Sequence, residues 1–553
     1  MSVVLAPGRW SRAVRRVRNI IHPNVTVTAP PDNVVAERNL AVPSRDGTVL
    51  RVNVYRPAEP GKYPVIMSAH PYGKDYLPKP TRRGYRPFPN LRILPQSEPF
   101  SFSAWTGWEA PDPAHWVPRG YVVVNADLRG WGTAEGTGQL LARDEGSDYH
   151  DLIEWAAAQS WSTGKVGLSG VSYLALSQWA AAATHPPHLA AISPWEGFTD
   201  FYRDVAMPGG VRENGLMIVW TKGTARTRSD SNVDLRKEQL VRPLFDEWWA
   251  DRNRDIEKIT VPLLVCGSFS DHNLHSRGSF EGFRRAASTQ KWLYTHRGPK
   301  WSVYYSADAL AEQDRFFDHF LKEKDNGQDT LAPVRLEIRK DADTITSVRR
   351  EQEWPPAGTE WPRLHLRQDG SFADQPESAA ATSSFHTRRR GLRYRHRFAT
   401  DTEVVGPMRL LLPVEVAHCD DVNIFAGVRK ISDGKSVAFE NGYGFRGSLV
   451  TNGMRKASHH LRDSDGKPRD DAAESLAPGQ VVQLEIELLP SATLFEAGDE
   501  LELEIAGRWF YARNPLTGQF PSYYEKSPRG RCVVHLGPGH DAYLEVPVQG
   551  RGR

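Results

Sequence analysis

Gly170, Val171, Ser172 and Tyr173 form the stretch best suited to covalent chemistry. Lys165 to Leu168 reads as a short buried strand, and from Tyr173 onward Leu174, Leu176, Trp179 and Ala180 recur near helical spacing. A serine on so abrupt a strand-to-helix turn is held in a strained backbone, with its hydroxyl pushed out above the sheet edge and its alkoxide facing a helix N-terminus. Gly170 is required because a side chain two residues ahead of the serine would collide with the tight turn. The plainer alternative is a serine that only caps a helix. A serine hydroxyl attacks only with a base in hydrogen-bond reach, and the base needs a carboxylate to fix its tautomer.

On doubly wound sheets those partners arrive in the order serine, acid, histidine, each at the carboxyl end of a later strand. Asp271, after the apolar run Val261 to Gly267, and His296, directly after Trp292 to Thr295, meet both conditions and are the expected acid and base. His272 and His275 compete for the second role. A histidine beside the acid would have to reach back over the same loop to Ser172, so a structural or pocket-lining role is expected for both. His70 is out of order, and His319 falls within a helical run. The oxyanion needs two donors. One is the Tyr173 backbone N–H; the other is the Tyr72 hydroxyl, on the loop after the strand ending at Ala69, although by spacing alone Tyr72 could equally be a packed aromatic. Asp127 and Arg129 read as a loop-fixing pair.

The elements that must position these groups alternate strand and helix, which means a parallel sheet with helices on its faces. Tyr63 to Ala69, Gly120 to Ala126, Ala190 to Ile192, Val261 to Gly267 and Trp292 to Thr295 are strands; Asp144 to Gln159 and Ser306 to Lys322 are helices; Val35 to Pro57 is a hairpin. Asp75 to Arg119 is long for a connection, and its aromatic residues Phe100, Phe102, Trp105, Trp108 and Trp116 either line a pocket or pin a surface loop. Trp105, Trp108, Trp195, Phe198 and Phe269 are the candidate pocket residues. Thr199 to Lys258 reads as an inserted helical cap. After Gly327 to Asp329 the strands are short and turn-bounded, an all-β sandwich of jelly-roll type. The expected units are an N-terminal arm (1–34), a body in two parts (35–198 and 259–328), the cap (199–258) and the sandwich (329–553).

Across 553 residues, Lys plus Arg number 70 against 67 for Asp plus Glu, so the field is too weak for a nucleic-acid partner. Cys266, Cys419 and Cys532 show no paired metal-ligand spacing, and reduced thiols, no metal and no cofactor are expected. No apolar run approaches the length of a membrane span, and the N-terminus lacks a signal peptide's order, so a cytoplasmic protein without a membrane partner is expected. Trp10 to Ile21 can form a basic amphipathic helix, with Trp10, Val14, Val17 and Ile21 on one face and Arg12, Arg15, Arg16 and Arg18 around the other. Packing on the body is expected of it, with membrane-surface docking as the alternative. A homodimer stays open.

The stretches HPYGKD (His70 to Asp75), GYVVVNADLRGWGTAEG (Gly120 to Gly136), WSTGKVGLSGVSYLALSQWAAA (Trp161 to Ala182), VPLLVCGSFSD (Val261 to Asp271), GMRKASHH (Gly453 to His460) and Leu476 to Gly507 resemble the cocaine esterase and Xaa-Pro dipeptidyl-peptidase group of serine hydrolases, which includes the α-amino acid ester hydrolases. The resemblance implies an α/β-hydrolase body with a helical cap and a jelly-roll domain. It implies Ser172 as nucleophile, Asp271 as acid, and Tyr72 with the Tyr173 amide as oxyanion hole. Two positions depart from the pattern. In cocaine esterase-like members the histidine follows a Trp-Ser pair, whereas the matching triplet here is Trp301, Ser302 and Val303; and Ala175 stands where the family often has Gly. The expected activity is hydrolysis of a small-molecule ester, or amide, through an acyl-enzyme. The alternatives are an Xaa-Pro dipeptidyl-peptidase or acylase, for which Glu196, Asp200, Asp204 and Glu213 are candidate ammonium-binding acids, an acyltransferase, and a non-catalytic binding protein.

Overall fold

The structure, a computed structural model, describes residues 4–6, 8–227, 234–514, 516, 518–519 and 521–550. Among them the central sheet is built from β1 (Val34–Pro43), β2 (Val49–Pro57), β3 (Tyr63–His70), β4 (Val122–Asp127), β5 (Ser162–Val171), β6 (Leu189–Trp195), β7 (Leu263–Ser268), β8 (Lys291–His296), β9 (Val334–Arg339) and β10 (Ile345–Glu351). Their spatial order is β1-β2-β4-β3-β5-β6-β7-β8-β9-β10, parallel from β4 to β9 and antiparallel at both margins. The parallel strands are buried on both faces, which is why Val122–Asp127 and Leu263–Ser268 read as continuous apolar runs rather than alternating ones. Helices α2 (Asp144–Ala157), α3 (Tyr173–Ala182) and α4 (Ser276–Arg285) share one core with β3 to β8. Helix α5 (Ala307–Lys322) packs with Trp116 and Tyr121 in another.

β9 falls in the segment expected to open the sandwich, but it adds to the edge of the α/β sheet beside β8. Val334, Leu336 and Ile338 drive this, being buried in the same core as α2 and α3. Arg339 also pairs with Thr493, so this strand ties the body to the sandwich. The sandwich itself faces Thr402–Ala417, Val482–Phe495 and Arg531–Leu536 against Leu392–Arg397, Asn423–Ser432, Thr451–Lys456 and Glu500–Ala506. Leu410, Leu412, Ile424, Val428, Leu484 and Leu503 fill the space between. The cap contains short helices, among them Leu216–Thr224, Leu235–Val241 and Glu247–Ala250.

The basic helix exists as α1 (Arg9–Ile21). It packs through its polar face: Arg16 lies 3.9 Å over the Phe445 ring, and Asn19 donates to the Leu91 and Arg92 carbonyls. Its apolar face points to solvent. Among the described residues no helix is long and apolar enough to cross a membrane.

Candidate active site

Ser172 sits between β5 and α3 at φ 60°, ψ −117°, a region that non-glycine residues seldom adopt. Its N–H donates to the Trp195 carbonyl at 3.0 Å, which locks the turn to the end of β6. Gly170 has φ +144°, and a Cβ there would lie 2.5 Å from Leu174 Cβ, so the turn closes only around a glycine. The serine is half-buried.

His275 Nε2 lies 3.3 Å from Ser172 Oγ, and its Nδ1 is hydrogen-bonded to Asp271 Oδ2. With Nδ1–H directed at the carboxylate, the Nε2 lone pair faces the hydroxyl. Asp271 lies just beyond β7, where its N–H donates to Ser268 Oγ, and His275 caps α4 one helical turn further on. The ring is stacked on Phe198, with centroids 6.0 Å apart and planes 10° apart. Acid and imidazole therefore come from a single β7-to-α4 loop.

The expected base is elsewhere. His296 Nε2 bonds Glu196 Oε1 at 3.1 Å, and its Nδ1 accepts the Gly298 N–H at 3.2 Å. Both ring nitrogens are thus engaged at the end of β8, and the hydrogen bond to Ser172 belongs to His275. Val303, where the sequence resemblance expects a histidine, lies inside the short helix Lys300–Tyr304.

That helix contributes a different group. Lys300 Nζ lies 2.7 Å from Asp271 Oδ2 and 2.9 Å from His275 Nδ1. Burial would raise the Asp271 pKa, but Lys300 and then His275 outweigh it and hold the carboxyl well below its usual range. For His275, burial and the Lys300 charge lower the pKa against the opposing pull of Asp271. Glu109, at φ 65°, is a second group whose place the sequence did not disclose. Its Oε1 accepts the Trp301 indole N–H at 3.0 Å, and its Oε2 is buried with no hydrogen-bond partner among the described residues. Burial pushes its pKa up to about 8 despite Lys300.

Tyr72 is half-buried, and its phenol interacts with Ser172 and with Trp220. Burial and then Glu109 raise its pKa well above the ordinary value, so the hydroxyl keeps its proton. His70, out of order for catalysis, fixes this loop: Nδ1 accepts the Tyr72 N–H at 3.2 Å and Nε2 bonds Asn125 at 2.8 Å. The Tyr173 N–H is at the first position of α3, where a helix offers no internal acceptor; the Tyr173 side chain is turned away, donating to Glu145.

Of the candidate pocket residues, Phe198 lies on His275, and Trp108 packs 5.1 Å from Trp301, the donor to Glu109. The rings of the other three are not brought to the site, although the Trp195 carbonyl holds the Ser172 N–H. Trp105 stacks on Tyr55, Trp195 is buried against Tyr294 and Tyr304, and Phe269 stacks on Phe280 and Trp354; each fills core or loop packing. Phe100, Phe102 and Trp116 are likewise buried in packing clusters. Asp127 accepts the Lys74 and Thr133 N–H groups, and Arg129 pairs with Asp148 and Asp46, so both fix loops, though not as a pair.

The acids considered for a substrate ammonium are engaged, except that Glu196 Oε2 is buried with no hydrogen-bond partner among the described residues. Asp200 pairs with Arg203 at 2.6 Å, Asp204 with Arg277 at 2.7 Å, Glu213 accepts the N–H groups of Gly215, Leu216 and Met217, and Glu196 holds His296. Two sets of three, Glu196, Cys266 and His296, and Glu196, Asp271 and His275, group atoms of metal-ligating type. In the second set the Lys300 ammonium already occupies the cation's place beside Asp271.

Fold and site together define a serine hydrolase of α/β-hydrolase fold, acting on ester or peptide bonds, with a C-terminal all-β domain. Residues 46–299 match the X-Pro dipeptidyl-peptidase (S15 family) profile, and residues 326–545 match the X-Pro dipeptidyl-peptidase C-terminal non-catalytic domain. A solved CocE/NonD family hydrolase from Staphylococcus aureus is 36% identical, with TM-score 0.88 and coverage of 94% of both chains. Cocaine esterase from Rhodococcus sp. is 23% identical over 93% of this chain and 99% of its own length. An α-amino acid ester hydrolase shares the fold, with TM-score 0.70 at 15% identity over 94% of this chain and 97% of that one. The chain belongs to the CocE/NonD family of hydrolases.

Proposed function

We propose that the protein is a carboxylesterase working through Ser172, His275 and Asp271. The observation that carries this is the 3.3 Å contact of Ser172 Oγ with His275 Nε2, on an imidazole whose other nitrogen faces Asp271. His275 takes the hydroxyl proton as Oγ bonds to the ester carbonyl carbon. The tetrahedral oxyanion is held by the Tyr72 hydroxyl and the Tyr173 N–H, aided by the N-terminus of α3. Collapse breaks the bond to the leaving alkoxide, which receives the proton from His275. A water, deprotonated by the same nitrogen, then attacks the acyl-enzyme and releases the acid and Ser172.

An ester rather than an aminoacyl amide is favoured because Asp200, Asp204 and Glu213 are each bound to a partner within the protein and Glu196 holds His296 through Oε1, leaving only its buried Oε2 without a hydrogen-bond partner among the described residues. The deciding experiment compares nitrophenyl esters of graded acyl size with aminoacyl-proline anilides, using Ser172→Ala as control. Ester turnover that the substitution abolishes is the expected result. Turnover confined to the anilides would make it a dipeptidyl-peptidase, and failure of a fluorophosphonate to label Ser172 would point to a non-catalytic binding protein.

A further inference from the structure

Helix α1 inverts the usual arrangement of an amphipathic helix on a globular body. Trp10, Val14, Val17 and Ile21 recur at steps of three and four residues and are 86, 66, 48 and 58% exposed. Ile20 beside them and Ile93, next to the carbonyls that hold Asn19, are exposed as well. Inward, Arg16 and Asn19 are buried. An apolar stripe of this length facing outward marks a contact surface.

The surroundings are strongly basic. Residues 1–24 contain five arginines and no acid, and residues 76–97 contain Lys79, Arg82, Arg83, Arg86 and Arg92 and again no acid, against near balance in the whole chain. Arg92 is joined to the helix through the Ile20 carbonyl, and Lys79, Arg82, Arg83 and Arg86 are exposed on the hairpin formed by Lys79–Thr81 and Gly84–Arg86. Beside α1 a crevice of about 420 Å³ is lined by Arg12, Arg15, Arg16, Arg18, His22 and Arg446, among others. Arg12 Nε is buried there with no hydrogen-bond partner among the described residues. Acids answer only part of this charge: Asp343 pairs with both terminal guanidinium nitrogens of Arg446, and Glu440 reaches Arg15 at 3.8 Å and Arg446 at 3.5 Å.

We propose that α1 docks the protein on an anionic phospholipid surface. Trp10, Val14, Val17 and Ile21 enter the boundary between headgroups and acyl chains, where tryptophan is favoured, and Arg12, Arg15 and Arg18 take lipid phosphates at the mouth of the crevice. A second copy of the chain fits the stripe less well. A two-fold contact through α1 would set the same arginines against one another. The docking is independent of the reaction, since α1 supplies no group to the Ser172 site.

The test is co-sedimentation of the full chain with phosphatidylcholine vesicles, with and without phosphatidylglycerol, at low and high salt. Wild type is expected to pellet with the anionic vesicles in a salt-sensitive manner, and Trp10→Ser/Val14→Ser/Val17→Ser to partition about tenfold less while retaining ester turnover in solution. The proposal is overturned if wild type stays in the supernatant, if the triple variant pellets equally, or if phosphatidylcholine alone serves as well. It is also overturned if light scattering shows a wild-type dimer that the triple variant converts to a monomer.

Discussion

Lys300 places a full positive charge on the acid's side of the imidazole, 2.7 Å from Asp271 Oδ2 and 2.9 Å from His275 Nδ1. Burial first, and then the Lys300 charge that an imidazolium would face, favour the neutral, basic form of His275, while Asp271 and Glu196 pull the other way. If His275 is the base, as proposed, it must be neutral to accept the serine proton, and Lys300 would then extend activity toward acid pH. Lys300→Met is therefore expected to move the acid limb of the kcat/KM profile to higher pH, read from ester hydrolysis across the pH range. An unmoved limb would mean that the lysine serves packing alone. Glu109 adds a buried carboxyl that is largely protonated at neutral pH, which keeps a further negative charge away from this pair.

The β5-to-α3 turn shows how an element stores the site. Gly170→Ala would introduce a Cβ at 2.5 Å from Leu174 Cβ at a φ of +144°, and is expected to destabilise the protein by about 2–4 kcal/mol in urea unfolding. A loss under about 0.5 kcal/mol would show that the turn is not under this constraint. This turn was legible in the sequence because its signals are local: a buried strand, a glycine at the point of closest approach, and helical spacing from Tyr173. β3, β4, β7 and β8 were legible for the same reason, as short apolar runs ended by turns. The imidazole in contact with Ser172 was not. Strand order pointed to His296 at the end of β8, whereas the loop carrying Asp271 folds over one helical turn and brings His275 to within 3.3 Å of Ser172 Oγ. The signal available was Val303 at the family's histidine position, together with a second histidine four residues after Asp271. Lys300 and Glu109 had no local signature, since only tertiary burial makes a lysine or a glutamate unusual. The outward face of α1 was invisible too, because periodicity shows that two faces exist and not which of them the body covers.

At the scale of the whole molecule the sandwich closes the site. Tyr443 stands at φ 61° in a sandwich loop, with its ring 5.5 Å from Lys300 Nζ, and Asn441 Nδ2 lies 3.3 Å from His272 Nδ1. Keeping water from the Lys300–Asp271 pair strengthens it, so Tyr443→Ala is expected to shift the same pH limb in the direction of Lys300→Met, by less, with KM for a small ester nearly unchanged. A variant indistinguishable from wild type across the pH range would separate the sandwich from the chemistry. Which imidazole serves Ser172 is decided most directly by kcat for His275→Gln and His296→Gln, measured in parallel on one nitrophenyl ester. His275→Gln is predicted to lose about three to four orders of magnitude, while His296→Gln, whose amide can still donate to Glu196, stays within about tenfold of wild type; the reverse ranking would contradict the assignment of the base to His275.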